Sequence, residues 1–492
     1  MKNKYFLPII LLVSTFIVSG CGNNQPRSSD SGDDSSSLSP SSTEPSESSS
    51  SSSSSGSSED IPGKDDGIIV EMDPMIKSGE DVKPYQLSFQ YEDDYFNSSA
   101  KTYNEDLSML SFGAAVATAT KERGTKFFTD LSFENITPYS YDVDPTKDSI
   151  GYFLAHKTIG DYELVTAAFR GFNYGLEWTN NFIIGKTGDH EGFNARGEEV
   201  YQELQSYINT YAKNKSLKLW INGYSRGGAI SNVLSSLIFR NNKINVEQDN
   251  MFVYTFEAPA SLSEENAVAY ENVHNITNKA DIIASIPPES YGLKRCGVDY
   301  EIYDANLSTL LKQFDEAIDH PEFVPMEESL LGQEMKDDCD LHDWVLNSVF
   351  NVEETSEDKT VYANTREQYV DNYQEGLSSA IGYVFGMKEA TRDEVLTAIK
   401  DLGFGVLGLL GDQTGKELAD FIKPYLTKDG IAFEEEKLQS DCAVLVKAIG
   451  TLFLKTLMMY MMDDYSSNLT RLISMHYSET VYVLLKNAHN KQ

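Results

Sequence analysis

The fold is decided by one stretch of sequence, LKLWINGYSRGGAI at residues 217–230. Its apolar start predicts a short buried strand at 217–222, and residues 225–239 predict a helix rich in small residues. Between them, residues 223–227 read Gly-Tyr-Ser-Arg-Gly and fit Gly-x-Ser-x-Gly, in which a strained strand-to-helix turn exposes a serine. The following helix points its N-terminal N–H groups at that serine, where they stabilise negative charge. Ser225 is therefore the candidate nucleophile.

Strands and helices are predicted to alternate on both sides of this stretch. Further strands are predicted at 148–157, 162–169 and 251–256. Further helices are predicted at 103–122 and 197–213. Such alternation is typical of an α/β fold with a mainly parallel sheet that helices cover on both faces.

Beyond about residue 300 the pattern becomes helical. The predicted helices lie at 305–350, 364–388, 391–411, 415–425 and 434–463. We interpret this part as a helical insertion or cap at 301–470, after a core at 68–300. A final helix is predicted within 471–492. The apolar stretch 442–462 contains two lysines, which favours a buried or lid helix over a membrane span.

The first 67 residues are predicted to lie outside the folded core. Residues 1–20 carry a basic start, an apolar stretch and small residues before a cleavage point, which is the pattern of a signal peptide. Residues 18–21 read Val-Ser-Gly-Cys and resemble the bacterial lipobox, which implies that Cys21 is acylated. Residues 21–67 are Ser-rich with almost nothing apolar, and we expect a disordered, lipid-anchored linker.

The charge balance excludes one class of partner. The 492 residues carry 76 acidic against 40 basic side chains, a net charge of −36. Nucleic-acid binding needs a basic surface, so we expect no nucleic-acid partner. Attachment to anionic lipids by charge alone is disfavoured for the same reason.

The cysteines do not form a framework of disulfides. Four are present, and with Cys21 used for acylation three remain, so at most one bridge is possible, for example between Cys296 and Cys339. The sequence contains no Cys-x-x-Cys or His/Cys cluster. We expect neither a metal nor a cofactor.

Five segments in order resemble the class 3 lipase family and its bacterial relatives, over roughly residues 100–300. One is the Gly-x-Ser-x-Gly turn itself. The others are AFRGF at 168–172 followed by EW at 177–178, HEGF at 190–193, YTFEAP at 254–259 and NITNKADIIASIPP at 275–288. The family pattern at 254–259 is Tyr-Thr-Phe-Gly-x-Pro. The resemblance implies an α/β-hydrolase fold and a Ser-Asp-His triad.

The chain departs from the family pattern around the predicted oxyanion hole. Tyr224 and Arg226 replace the usual His and Leu beside the serine, and Phe172 stands where the family often has Thr or Ser. Since Phe172 has no hydroxyl, only its backbone N–H could contribute. We expect the oxyanion hole to consist of the backbone N–H groups of Arg226 and Phe172.

Asp281 is the predicted carboxylate of the triad. It follows the apolar strand 273–276, so it should lie at the carboxyl end of a strand, which is the functional edge of such sheets. The resemblance points to the same residue, because the family segment before its Leu-Pro-Pro turn carries the catalytic aspartate.

Two histidines remain as candidates for the base. In this fold the order along the chain is Ser, Asp, His, so the histidines before Asp281 are excluded. His489 lies in a terminal tail, and His320 has no supporting pattern. His342 has the spacing from Asp281 that is usual in the family. His476 lies in a segment, 475–482, that resembles one near the end of several class 3 relatives, and we favour it.

Two functions are compatible with these residues. The first is a serine carboxylic ester hydrolase acting on acylglycerols or related lipids through an acyl-enzyme, with apolar helices at 402–411 and 442–462 as a lid or acyl-binding wall. The alternative is an inert hydrolase scaffold that serves as a surface lipoprotein with a binding role. In both cases acylated Cys21 would anchor the chain to the extracytoplasmic side of a bacterial cell membrane.

Overall fold

The structure of the chain is a computed structural model. The structure describes residues 67–73, 84–142, 148–172, 175–212, 215–317, 335–347, 365–388, 412–460 and 474–490, with the single positions 146, 390–392, 394–395 and 472. The predicted signal peptide, Cys21, nearly all of the predicted linker and the predicted lid segment 402–411 lie outside these residues.

A seven-stranded sheet forms the centre of the fold. Its strands, in chain order, are β3 (Glu134–Tyr139), β4 (Tyr152–Ile159), β5 (Tyr162–Phe169), β6 (Ser216–Tyr224), β7 (Met251–Phe256), β9 (Val273–Asn278) and β11 (Val298–Ile302). The spatial order is β11-β9-β7-β6-β5-β4-β3. The five strands from β5 to β11 run parallel, whereas β3 and β4 pair antiparallel at one edge. The mainly parallel sheet that the sequence predicts is confirmed.

Two small antiparallel pairs lie outside this sheet. They are β1 (Ile68–Met72) with β2 (Tyr85–Phe89), and β8 (Leu262–Ser263) with β10 (Leu293–Lys294). The first pair buries every second residue, which is the period of a strand with one covered face.

Helices cover both faces of the sheet and continue beyond it. The helices of the described residues are α1 (Glu105–Ala117), α2 (Lys121–Asp130), α3 (Glu191–Tyr211), α4 (Arg226–Asn241), α5 (Leu307–Ala317), α6 (Met335–Val345), α7 (Arg366–Tyr369), α8 (Glu375–Phe385), α9 (Asp412–Asp429), α10 (Glu435–Tyr460) and α11 (Ser478–His489). A π turn over Val370–Gln374 joins α7 to α8. None of these helices is long and apolar enough to cross a membrane.

Strand β6 shows why the sheet is apolar on both faces. Trp220 and Tyr224 point into the core that contains α1 and α11, while Leu219 and Ile221 point into the core that contains α3 and α4. Side chains alternate along a strand, so a strand covered on both sides needs a continuous apolar run. Residues 219–221 are the apolar part of that run, and the strand remains buried from there to Tyr224.

The helix and strand boundaries differ from the sequence prediction in several places. The single helix predicted at 103–122 is two helices. The first ends at Ala117 with Thr118 as its C-cap, and the Thr120 hydroxyl caps α2 by accepting the Arg123 N–H. Helix α3 begins six residues earlier than predicted, since the His190 imidazole caps it. The prediction missed β1, β2, β3 and β11, which are short or lie at an edge.

The C-terminal helices pack on each other and on the sheet domain. Helix α10 packs against both α8 and α9, and α8 packs on the 3₁₀ segment Gly175–Phe182 of the core. The last helix, α11, returns to the main core, where Tyr482 lies against Phe89 and Phe112. Cys296, Cys339 and Cys442 are buried free thiols, so the bridge that the sequence left open between Cys296 and Cys339 is not formed.

Arg366 fastens the helical part to the core. Its guanidinium donates hydrogen bonds of 2.5–3.3 Å to five backbone carbonyls, all in the loop before α3. The acceptors are those of Ile184, Gly185, Thr187, Gly188 and Asp189. The side chain is almost completely buried, so water cannot replace these bonds easily.

We expect Arg366→Met to lower the free energy of unfolding by about 2–4 kcal/mol, because several buried carbonyls would lose their donor. Arg366→Lys should recover only part of this loss, since an ammonium group cannot reproduce the planar fork of a guanidinium. Thermal unfolding and limited proteolysis of the helical part would measure the effect. Two variants as stable as the wild type would contradict this role of Arg366.

Candidate active site

Ser225 occupies the sharp turn between β6 and α4. Its φ and ψ are 52° and −122°, a backbone conformation that costs energy for any residue with a side chain. The Ser225 N–H donates to Phe256 O at 2.7 Å, which holds the turn against β7. A Cβ on Gly223 would lie 2.4 Å from the carbonyl carbon and oxygen of Gly227. The motif requires glycine at its first position because the backbones at 223 and 227 lie so close together.

His476 connects Ser225 to Asp281. Its Nδ1 lies 2.6 Å from Asp281 Oδ2, and its Nε2 lies 2.8 Å from Ser225 Oγ. An ionised carboxylate can only accept, so Nδ1 carries the proton and Nε2 is left to accept the serine hydroxyl. These are the contacts needed for an imidazole to remove the hydroxyl proton while a carboxylate orients it.

Asp281 is fully buried and well supplied with donors. Besides His476, the Ile283 N–H donates to Asp281 Oδ1 at 2.8 Å. Burial acts to raise the pKa of Asp281. Two effects of His476, its charge and its hydrogen bond, act in the opposite direction together with further hydrogen bonds. They outweigh burial and hold the pKa of Asp281 below its usual value. Asp281 is therefore ionised at neutral pH.

The backbone around His476 is fixed by side chains from the sheet. Tyr224 Oη donates to His476 O at 2.7 Å, and Asn278 Nδ2 donates to Met475 O at 2.8 Å. Thr480 Oγ1 closes the turn on its other side by donating to Ser474 O at 2.7 Å. The imidazole is thus presented by a segment that is held by the ends of β6 and β9, the strands on either side of β7.

The alternative base, His342, makes other contacts. It lies on α6, with Nε2 2.8 Å from Ser285 Oγ and Nδ1 3.0 Å from Asp343 Oδ1. The structure therefore brings together Ser225, Asp281 and His476, and it pairs His342 with neither Ser225 nor the Asp281 carboxylate.

A buried ion cluster joins the two backbone segments predicted to form the oxyanion hole. Glu177 Oε1 accepts from Arg170 Nη2 at 2.6 Å, and Glu177 Oε2 accepts from Arg226 Nη1 at 3.3 Å. Arg170 comes two residues before Phe172, whereas Arg226 begins α4. Glu177 thereby ties both segments to one carboxylate, and the sequence alone left the role of the Arg226 side chain open.

Close packing keeps these segments side by side. The Phe172 ring stacks on the Tyr224 ring, with centroids 4.7 Å apart. A Cβ on Gly171 would lie 2.2 Å from Tyr224 O, so only glycine permits this approach. The backbone of Phe172 consequently passes next to the turn that carries Ser225.

Two polar residues of this site have roles that the sequence did not predict. One is Tyr224, whose hydroxyl supports the histidine segment. The other is Glu257, a buried carboxyl next to Asp281. Its signal in the sequence is the glutamate in YTFEAP, where the class 3 pattern has glycine. Within the described residues, no group of three His, Cys, Asp or Glu side chains is arranged to hold a metal ion.

The comparison with protein families covers the central part of this site. Residues 166–291 match the class 3 lipase family. This span contains Ser225, Asp281 and the Phe172 segment, while His476 lies outside it.

One relative and several solved structures are similar to the chain. A lipase from Rhizomucor miehei is 26% identical over 135 residues, which are 26% of this chain. The chain spans 36% of the length of that relative. The Rhizomucor miehei lipase propeptide complex is 17% identical with a TM-score of 0.31, and 45% of this chain covers 78% of that one. Lipase II from Rhizopus niveus is 17% identical with a TM-score of 0.32, and 40% of this chain covers 80% of that one.

We expect Tyr224→Phe to slow the reaction of Ser225 with a fluorophosphonate by about two- to tenfold, the loss of one buried neutral hydrogen bond. Burial raises the pKa of Tyr224 well above its usual value, so the hydroxyl stays a donor throughout the working range of pH. Phenylalanine keeps the ring stacking on Phe172, which makes the hydroxyl the only group removed. An unchanged labelling rate would show that the hydroxyl does not support His476.

Proposed function

We propose that this protein is a serine ester hydrolase that cleaves acylglycerols or related lipid esters through an acyl-enzyme on Ser225. The observation that carries the proposal is the pair of short hydrogen bonds that His476 makes, accepting from the Ser225 hydroxyl at 2.8 Å and donating to the Asp281 carboxylate at 2.6 Å. The alternative of an inert scaffold has no comparable support, since all three side chains that acyl transfer needs are present and in contact.

The reaction begins with attack of Ser225 Oγ on the ester carbonyl carbon. His476 Nε2 accepts the hydroxyl proton, and Asp281 stabilises the imidazolium that forms. The imidazolium then returns the proton to the departing alcohol, which leaves an acyl group on Ser225. A water molecule, activated by the same imidazole, hydrolyses this acyl-enzyme and frees the carboxylic acid.

The developing oxyanion would be bound by the backbone N–H groups of Arg226 and Phe172. One is at the N-terminus of α4, where the helix dipole also favours negative charge. Donors of this kind typically lower the barrier by about 3 kcal/mol each. The Glu177 cluster supports this proposal, because it holds both backbone segments and no donor has to be reoriented during the reaction.

A lipid ester as substrate is supported by the family match and by the apolar walls near the site. The matched family is that of class 3 lipases, and the Rhizomucor miehei relative is named a lipase. On the core side, Leu176, Trp178 and Phe182 pack against α8, whose Phe385 lies parallel to Trp178. The helical part therefore adds apolar surface directly after the Phe172 segment.

We expect a fluorophosphonate to label the purified full chain at Ser225 and to fail to label Ser225→Ala. His476→Ala should lower kcat on a short-chain ester by about 10³-fold or more, because the hydroxyl loses its base. His342→Ala is the matched control, and its kcat should stay within about threefold of the wild type. A chain-length series of esters on the wild type would then define the acyl preference.

Two results would contradict the proposed function. The first is folded wild-type protein that resists labelling even when detergent is added to open any closed site, which would favour the inert scaffold. The second is a His476→Ala variant as active as the wild type, which would remove the triad whatever the fold.

We also propose that acylated Cys21 anchors the protein to the extracytoplasmic side of a bacterial membrane. The support is the sequence Val-Ser-Gly-Cys at 18–21 after an apolar stretch. Several acyl chains on one cysteine give stable attachment where one chain would not.

We expect the chain made in a bacterial host to incorporate labelled palmitate and to fractionate with membranes. Cys21→Ser should abolish both properties and leave Ser225 reactive towards a fluorophosphonate, because the anchor is separate from the site. Palmitate incorporation that persists in Cys21→Ser would place the acylation elsewhere.

A further inference from the structure

Glu257 is a carboxyl group that the triad itself does not use. It directly follows β7, where its φ is 50°, a left-handed conformation that is uncommon for a residue other than glycine. The class 3 pattern has glycine at this position. The chain thus has a long ionisable side chain at a place where both the backbone and the pattern favour no side chain.

The carboxyl of Glu257 is sealed inside the protein. It is 0% exposed, and its Oε1 accepts the Asn278 N–H at 2.8 Å. Among the described residues no N–H or O–H group donates to Oε2. The carboxyl groups of Glu257 and Asp281 lie within hydrogen-bonding reach of each other. Two buried carboxyls therefore meet, and one of their four oxygens has no donor unless a proton lies between them.

The surroundings decide which of the two carboxyls carries that proton. Asp281 has two donors, His476 and the Ile283 N–H, whereas Glu257 has one. Two adjacent buried carboxylates cannot both ionise without a large cost. Burial raises the pKa of Glu257 well above its usual range, and the charge of Asp281 and the hydrogen bond with it raise this pKa further. Glu257 is therefore the protonated member of the pair.

The other ionisable groups around the pair do not reverse this assignment. Tyr224 on β6 keeps its proton, and Glu479 on α11 is a further acid. Arg295, just before β11, is the nearby cation, but Asp299 neutralises it at 2.7 Å and its Nη1 donates to backbone carbonyls at 258 and 284. No group of the described residues is thus placed to keep both Glu257 and Asp281 charged.

We propose that Glu257 is a positioning residue whose protonated carboxyl donates a hydrogen bond to Asp281 and thereby fixes the carboxylate that orients His476. The proposal deepens the proposed hydrolase function and rests on it. The proton stays on Glu257 throughout the reaction, so no bond is made or broken there. Asp281 is held by three donors on different segments: the acid of Glu257, the Ile283 N–H and the His476 imidazole.

An infrared measurement tests the proton directly and needs no activity. At neutral pH the wild type is expected to show the C=O band of a protonated carboxylic acid, and Glu257→Gln should lack it. Asp441→Asn on α10 is the matched control, because burial raises the pKa of that carboxyl too. Absence of any protonated-acid band in the wild type, or a band that survives in Glu257→Gln and disappears in Asp441→Asn, would overturn the proposal.

Activity separates a positioning role from simple filling of space. Glu257→Gln keeps an acceptor for the Asn278 N–H and an N–H donor for Asp281, so kcat should stay within about threefold of the wild type. Glu257→Gly relieves the backbone but removes the donor, and we expect kcat to fall by about 10- to 100-fold with KM little changed. Equal kcat values for the two variants would overturn the proposal.

The pH dependence of stability has a definite sign. Because the folded protein keeps the Glu257 proton to a higher pH than the unfolded chain does, its stabilising contribution is complete below about pH 4.3 and is lost as pH rises towards the raised pKa. Glu257→Gln cannot ionise. The thermal midpoint of this variant minus that of the wild type should therefore increase as pH rises from about 5 to about 8. The ratio of the two unfolding constants should change by up to tenfold per pH unit. A difference that does not vary with pH would overturn the assignment of the proton.

These outcomes are distinguishable from failure of the function itself. If Ser225 resists labelling but the infrared band depends on Glu257, the hydrolase proposal fails and the shared proton stands. If Ser225 is labelled and hydrolysis depends on His476, but Glu257→Gly is as fast as Glu257→Gln, the function stands and Glu257 has no positioning role.

Discussion

The two hydrogen bonds of His476 are the constraint on which the rest of the site depends. They join residues that are 195 and 251 positions apart in the chain, so the imidazole reaches both partners only if the segment before α11 returns to the sheet. Tyr224 and Asn278 hold the returning segment in place by donating hydrogen bonds to the carbonyls of His476 and Met475. Both side chains stand at carboxyl ends of parallel strands, which explains why the site forms at this edge of the sheet.

The parts of the fold with a local cause were predictable from the sequence. A continuous apolar run predicts a strand covered on both faces, and Gly-x-Ser-x-Gly predicts the turn that follows it. Strand β7 was correctly expected for this reason, and β6 was expected at 217–222, two residues short of its end at Tyr224. Asp281 was chosen because it follows an apolar strand. The mainly parallel sheet follows from the alternation of such segments with helices.

What the sequence could not provide are contacts between distant segments. The choice between His342 and His476 depends on where α6 and α11 pack, and the sequence offered only a resemblance of segment 475–482 in favour of His476. Tyr224 was noted only as a departure from the family pattern, because the carbonyl that its hydroxyl binds lies 252 residues further along the chain. Glu257 was passed over because a glutamate in a short motif shows neither its burial nor its carboxyl neighbour. The start of α3 was misplaced since an imidazole is an unusual cap.

The position of His476 has a consequence for how the protein is made. During synthesis the sheet, the turn with Ser225 and the Asp281 loop emerge well before the histidine, with the whole helical part in between. A nascent chain that has reached only the helical part lacks the imidazole that contacts Ser225 and Asp281 in the folded protein. Ser225 therefore gains its contact with the His476 imidazole only after the elements that surround it have been synthesised.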